Sequence, residues 1–249
     1  MVDGLMGIKI ENIETFGWEA AIRGMRNPKN SWNKSDSHWC AEDCPMVENN
    51  HEPAIECNDG KFGFCIGEND LRLMSVLAHA GPEHGKYLRM IHVQMDITAP
   101  AFWWAEFDTY KVATTRDSCS KMHKIHVKPF ELDDFAHEAC MDIPIAHDAL
   151  LTVIDVCEQL RLLFNETQDR KYWRALIELL PEGYMLRATW DGSLQTVLSI
   201  LHQRNRHKLH EEWKPFREAM FTHIPYCTEL YTAIYGNKGD DFLKETNND

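Results

Sequence analysis

Between Leu88 and Ile97 the chain alternates, with Ile91, Val93, Met95 and Ile97 on one side and His92, Gln94 and Asp96 on the other. A period of two describes a strand that is dry on one face and wet on the other. Thr98-Ala-Pro100 follows at once, offering an N-cap and a proline in a first turn. A helix carrying Phe102, Trp103, Glu106 and Phe107 is therefore predicted to start there. A one-faced strand needs neighbouring strands and a layer to cover it, so the chain must combine sheet with helices.

The remaining pattern fills in that architecture. Ile8 to Ile13 alternates enough for a short opening strand, and Gly17 to Met25 is helical, with Trp18, Ala21, Ile22 and Met25 on one face. From Asn27 to Asn69 the texture changes to Asn, Pro, Gly, Asp and four Cys, which predicts a long irregular insertion. Asp70 to His79 is helical again, and Thr114 to Ser120 is a polar loop. The second half is helical over Ile145–Phe164 and over Arg170–Leu180, which Pro181 ends. Asp191 is expected to cap a helix running to about Arg206, with Glu211–Phe221 and Thr228–Tyr235 completing the chain. The class is α+β, a small antiparallel sheet early in the chain packed with a helical body. One domain over residues 1–249 carries a Cys-rich insertion at about 27–69.

Charge narrows the partners. A formal net charge of -13 disfavours DNA and RNA as ligands, yet it leaves room for a local basic pocket that takes a mononucleotide. No charged-then-apolar leader and no apolar run of membrane-spanning length is present, so a soluble, cytoplasmic protein with mostly reduced thiols is expected. Cys40, Cys44, Cys57 and Cys65, with His38 and His51 nearby, have residue types that bind zinc. Their C-x3-C and C-x7-C spacing is looser than the paired C-x2-C of established sites, so free thiols and no metal are the expectation.

Three segments in order resemble the flavin-dependent thymidylate synthases. The first is Gly81-Pro-Glu-His84, then the strand, then Ala99-Pro100. The second is Thr109-Tyr-Lys-Val-Ala-Thr-Thr-Arg-Asp-Ser-Cys-Ser-Lys121, which falls on the family's signature loop. There Lys111 stands for Arg, Thr114 for Ser, Asp117 for Glu, Cys119 for Ser and Lys121 for Arg. The third is Leu180-Pro181, a helix ending Leu201-His-Gln-Arg204, and Glu211-Glu-Trp213. The resemblance covers roughly residues 70 to 235, and order and spacing carry it rather than any single motif.

The resemblance implies reductive methylation of dUMP, with methylenetetrahydrofolate as carbon donor, FAD as cofactor and NADPH as reductant. It also implies a homotetramer. Arg204 falls on the arginine that contacts the pyrimidine and promotes its attack by stabilising charge on its carbonyls. Lys111, Asp117, Cys119, Lys121 and Arg174 would join Arg204 around the nucleotide. His84, Tyr110, Lys111, Thr114, Ser193 and Ser199 would lie at the flavin. Arg116 adds positive charge to the loop, and Ser120 adds a neutral donor.

Departures from the pattern keep a second reading open. The Arg and His that open the family's loop fall on Thr109 and Tyr110. An arginine before Leu-Pro falls on Ile177, with Arg174 one turn earlier, and two asparagines fall on Ser193 and Ser199. A nucleotide-binding protein that has lost flavin chemistry is the alternative. A flavin-free nucleotide-modifying enzyme using Cys119 is a third reading. The run from Lys121 through His123, Lys124 and His126 to Lys128 is expected to be a solvent-facing strand.

Overall fold

The computed structural model describes residues 7–39 and 64–236. In chain order they form β1 (Lys9–Phe16), α1 (Trp18–Arg26), β2 (His38–Trp39), β3 (Phe64–Cys65) and α2 (Glu68–His79). Next come β4 (His92–Pro100), α3 (Ala101–Phe107), β5 (Thr114–Ser118), α4 (Lys121–Lys124) and α5 (Glu138–Met141). The rest is α6 (Pro144–Thr167), α7 (Arg170–Leu179), β6 (Met185–Ser193), α8 (Leu194–Gln203), α9 (His210–His223) and α10 (Cys227–Tyr235). The fold is α+β.

The main sheet has the strand order β1-β4-β6-β5. Asp96 of β4 accepts from Arg187 and Thr189 of β6, while Asp191 of β6 meets His92 and Gln94 of β4. Numbers rise on one strand as they fall on the other, so the pair is antiparallel. In β4, Val93, Met95, Ile97 and Ala99 are buried and His92 and Gln94 exposed, as the alternation predicts. In β6 the same period buries Leu186, Ala188 and Trp190 and exposes Arg187 and Thr189.

Several local expectations need correction. Strand β4 runs on through Pro100, so the following helix starts at Ala101 and Thr98 is not its cap. Residues 114–118, expected as loop, are β5. The basic run begins as α4, with Ser120 capping it through His123 N–H at 3.2 Å, rather than as a strand. Asp191 lies within β6, and Ser193 is the cap that starts α8.

The described residues cluster into two compact units. One comprises residues 7–9, 96–109 and 116–189, the other residues 10–39, 64–95, 110–115 and 190–236. The first holds α3, whose Trp103, Trp104 and Phe107 are buried against one another, with Trp103 and Phe107 stacked at 4.7 Å. Trp104 Nε1 donates to the Leu186 carbonyl at 3.0 Å, which satisfies the polar end of a buried ring. Its second cluster, Ile125, Phe130, Phe135, Ile154, Cys157 and Leu176, lies where α6 packs on α7. Gln168 in the left-handed region and the Asp169 cap on Lys171 N–H turn the chain between those helices.

The second unit is organised by a buried ion pair. Arg26 Nε donates to Asp70 Oδ1 at 2.5 Å, and both side chains are almost wholly buried. Asp70 Oδ2 accepts from Ser35 Oγ at 2.6 Å, from Ser37 Oγ at 2.7 Å and from Ser37 N–H at 3.1 Å. Asp36 reciprocates by capping α2, accepting from the N–H groups of Asn69 at 2.9 Å and Asp70 at 3.1 Å. The start of the predicted insertion is thus tied to α1 and α2. Gly17 makes the corner from β1 into α1 at a φ of 87°, where a Cβ would run into the Met90 carbonyl.

Burial by itself pushes the Asp70 carboxyl up, but the hydrogen bonds from Ser35, Ser37 and Arg26 and the guanidinium charge outweigh it and hold it below the ordinary carboxylate range. A carboxyl lowered in the folded state contributes stability above its unfolded pKa, and that contribution is lost as the pH falls through the folded value. Asp70→Asn should therefore cost about 3–5 kcal/mol in denaturant unfolding at neutral pH, since it leaves Arg26 buried without its counter-charge. The difference between wild type and variant should shrink as the pH is lowered through the acid range; an equal difference at all pH values would contradict this account.

Candidate functional site

Residue Arg204 sits just past the C-terminal end of α8, whose inner face of Leu194, Val197, Leu198 and Leu201 is fully buried. The periodicity that drives this helix into the core therefore fixes the place of its last residues. The start of the helix is fixed as well. Ser193 ends β6 and accepts from Thr196 N–H at 3.2 Å, while Leu194 N–H donates to the Ile91 carbonyl at 2.8 Å.

The guanidinium of Arg204 is framed by two aromatic rings. Its Cζ lies 5.3 Å from the Tyr110 ring centroid and 5.0 Å from that of Trp213. Arg204 Nε also donates to Tyr110 Oη at 2.8 Å. Trp213 is buried on α9, and His207 meets it edge-on at 5.9 Å. A cation over ring faces is partly stripped of water and attracted to each ring, so it binds an incoming anion or polarised carbonyl more firmly than a solvated one.

Tyr110 is itself anchored. Its hydroxyl donates to Gln203 Oε1 at 3.3 Å, Gln203 Nε2 donates to Ser199 Oγ at 2.8 Å, and Ser199 hydrogen-bonds Tyr235 of α10. Burial raises the Tyr235 phenol, with the Ser199 bond working the other way. Tyr235 stacks on His202 at 4.0 Å. Thr114 Oγ1 donates to the Tyr110 carbonyl at 2.8 Å, closing a turn that holds Ala113 at a φ of 54°.

Tyr110, Thr114, Ser199 and Arg204 are thus brought together in the second unit, in which Lys111 and Ser193 also lie. Ser193 is buried and spent on its cap. His84 is exposed beside Glu83, at 3.9 Å, ahead of a single 3-10 turn. Asp117, Cys119, Lys121 and Arg174 belong to the first unit. There Asp117 and Cys119 are exposed, and Cys119 N–H donates to the Arg187 carbonyl at 3.0 Å. Arg174 pairs with Glu178 at 2.6 Å along an exposed face of α7, while Ile177 packs on the core. Arg116 lies over Trp104 at 4.3 Å and pairs with Asp108 at 2.6 Å.

Sequence reasoning missed Gln203, His207 and the role of Trp213. A signal was present: the connection from Arg204 to His210 reads Arg-Asn-Arg-His-Lys-Leu-His, a basic run in a chain of net charge -13. Among the described residues no group of three or more His, Cys, Asp or Glu is placed to hold a metal. Cys40, Cys44, Cys57 and His51 lie outside the described residues. Cys65 corrects the expectation of free thiols, since it is disulfide-bonded, whereas Cys119, Cys140, Cys157 and Cys227 are free.

The fold is similar to that of solved enzymes. The flavin-dependent thymidylate synthase ThyX from Helicobacter pylori, complexed with FAD and dUMP, matches with a TM-score of 0.60 and 14% identity over 92% of this chain and 100% of that chain. A second structure of the same enzyme with FAD and dUMP gives 0.60 and 13%, over 92% and 99%. The UMP/dUMP methylase PolB from Streptomyces cacaoi, bound with 5-Br dUMP, gives 0.57 and 12%, over 92% and 96%. No protein-family model and no curated protein sequence matches. At these identities the likeness defines the fold, a ThyX-like α+β fold. No helix among the described residues is long and apolar enough to cross a membrane.

Ser193 separates structural from ligand-binding use. As a helix cap, its replacement by Ala should cost about 1 kcal/mol in thermal unfolding and leave ligand affinity unchanged. A variant with wild-type melting and weakened ligand binding would reverse that assignment.

Proposed function

We propose that this chain binds a pyrimidine nucleoside monophosphate of the dUMP kind, with Arg204 against the base. The observation that carries the proposal is the guanidinium lying over both the Tyr110 and the Trp213 ring, at the position where the resemblance places the pyrimidine-contacting arginine. Arg206 and Lys208 on the same connection supply local positive charge for a phosphate. The likeness to enzymes solved with dUMP or its 5-bromo analogue supports the ligand class.

Flavin fits this arrangement less well. The cation pair of the family's loop is replaced by Thr109, whose Oγ1 bonds the Glu106 carbonyl, and by Tyr110, whose hydroxyl bonds Arg204. Ser193 is a buried cap, and Ser199 already bonds Gln203 and Tyr235. Lys111 is the remaining cation among the flavin candidates, whereas a diphosphate favours several charged donors. Nucleotide binding without flavin is accordingly the first reading.

The second reading is reductive methylation of dUMP with FAD, NADPH and methylenetetrahydrofolate. It is favoured by the fold-level likeness to ThyX solved with FAD. In either reading Arg204 holds the base and draws negative charge toward its carbonyl oxygens. FAD would supply the redox chemistry if bound. Copies of the chain are proposed to associate through α6, where Ile145 is 82% exposed and Leu162 is 52% exposed.

Calorimetric titration with dUMP tests the first reading. Arg204→Ala should weaken binding at least tenfold, as loss of a charge-assisted contact does, with little change in melting temperature. Equal affinity in the variant would remove Arg204 from the site. Retention of a flavin absorption band after FAD incubation and gel filtration, together with dTMP formation, would move the assignment to the second reading. Ile145→Asp should shift the sedimenting species toward the monomer if α6 is the contact.

A further inference from the structure

We propose that Tyr110 is a positioning residue for Arg204, so that a position the resemblance gives to flavin serves the nucleotide here. The inference rests on the nucleotide-binding reading of Arg204. The tyrosine supplies two kinds of contact to one guanidinium, a ring face 5.3 Å from Cζ and a hydroxyl that accepts from Nε at 2.8 Å. Trp213 supplies the second face at 5.0 Å. An arginine side chain has several rotatable bonds, and each one fixed before binding is conformational entropy that the ligand need not cost the complex.

Direction is set as well as position. A phenol has one proton, and Tyr110 directs it to Gln203 Oε1 at 3.3 Å, which leaves its oxygen lone pairs for Arg204 Nε. Gln203 is held one turn back by Ser199, and Ser199 in turn bonds Tyr235. The tyrosine therefore cannot swing to a flavin ring without breaking the bond to Arg204 and releasing this string of contacts. Thr114 closes the backbone on the same residue at 2.8 Å. A phenylalanine at this place offers the ring alone.

The test uses the full chain labelled with nitrogen-15, in which the Arg204 Nε–Hε signal is identified by its loss in Arg204→Lys. In wild type that signal should be ring-shifted upfield and slow to exchange with solvent. Tyr110→Phe keeps the ring and removes the hydroxyl. It should speed the exchange and weaken dUMP binding about tenfold, as loss of a hydrogen bond to a charged group does, with the melting temperature nearly unchanged. Gln203→Leu should give a smaller change in the same direction. An Arg204 signal that exchanges equally slowly in Tyr110→Phe overturns the proposal, and so does unchanged dUMP affinity beside a changed signal. If wild type binds no dUMP, the functional reading fails separately, and the exchange rate of the Arg204 signal still decides whether Tyr110 positions it.

Discussion

A carboxylate with no exposure to water holds the second unit together. Asp70 gathers Arg26 from α1, Ser35 and Ser37 from the segment that follows it, and its own helix α2 around one pair of oxygens. An unpaired charge at that depth would be intolerable, so every partner is needed at once. The consequence reaches the site. Helix α2 packs on α10, α10 presents Tyr235, Tyr235 bonds Ser199, and Ser199 leads through Gln203 and Tyr110 to Arg204. Arg204 is thus connected, contact by contact, to a deeply buried charge pair of its own unit.

The chemistry of the site follows from what surrounds that cation. Two rings within 5.3 Å of the guanidinium carbon limit the hydration of that charge. Other residues that the resemblance touches have been drawn into structural contacts. Arg116 stacks on Trp104, Thr109 bonds its own helix end, and Arg174 pairs along α7. The spacing on which the resemblance rests is therefore kept at Arg204, while Thr109, Arg116 and Arg174 are engaged in structural contacts.

What could be read from the sequence depended on how locally each feature is encoded. The alternation of β4 and the apolar faces of α6, α7 and α8 are written in neighbouring residues, and each element appears within a few residues of its expected span. Strand β6 alternates just as well, with Leu186, Ala188 and Trp190 inward, but it runs through Asp191, a residue type that also caps helices. Strand β5 has polar residues on both faces, so no hydrophobic period marks it. Arg204 was legible because its distance from Leu180-Pro181 is fixed by strand and helix. Tyr110 was legible as a position and not as a partner, since its bonds join residues more than ninety apart.

The junction of β6 with α8 contains no loop. Ser193 is at once the last residue of the strand and the cap of the helix, and Leu194 is bonded straight to β4. A helix that leaves a sheet without slack is a ruler: each residue advances it by about 1.5 Å and turns it by roughly 100°. Adding or deleting one residue between Ser193 and Arg204 would swing the guanidinium away from both of its rings. Surface loops can drift in length over evolutionary time, whereas even a whole turn added here would move the guanidinium about 5.4 Å along the axis, so this interval's residue count should outlast most of its residue identities.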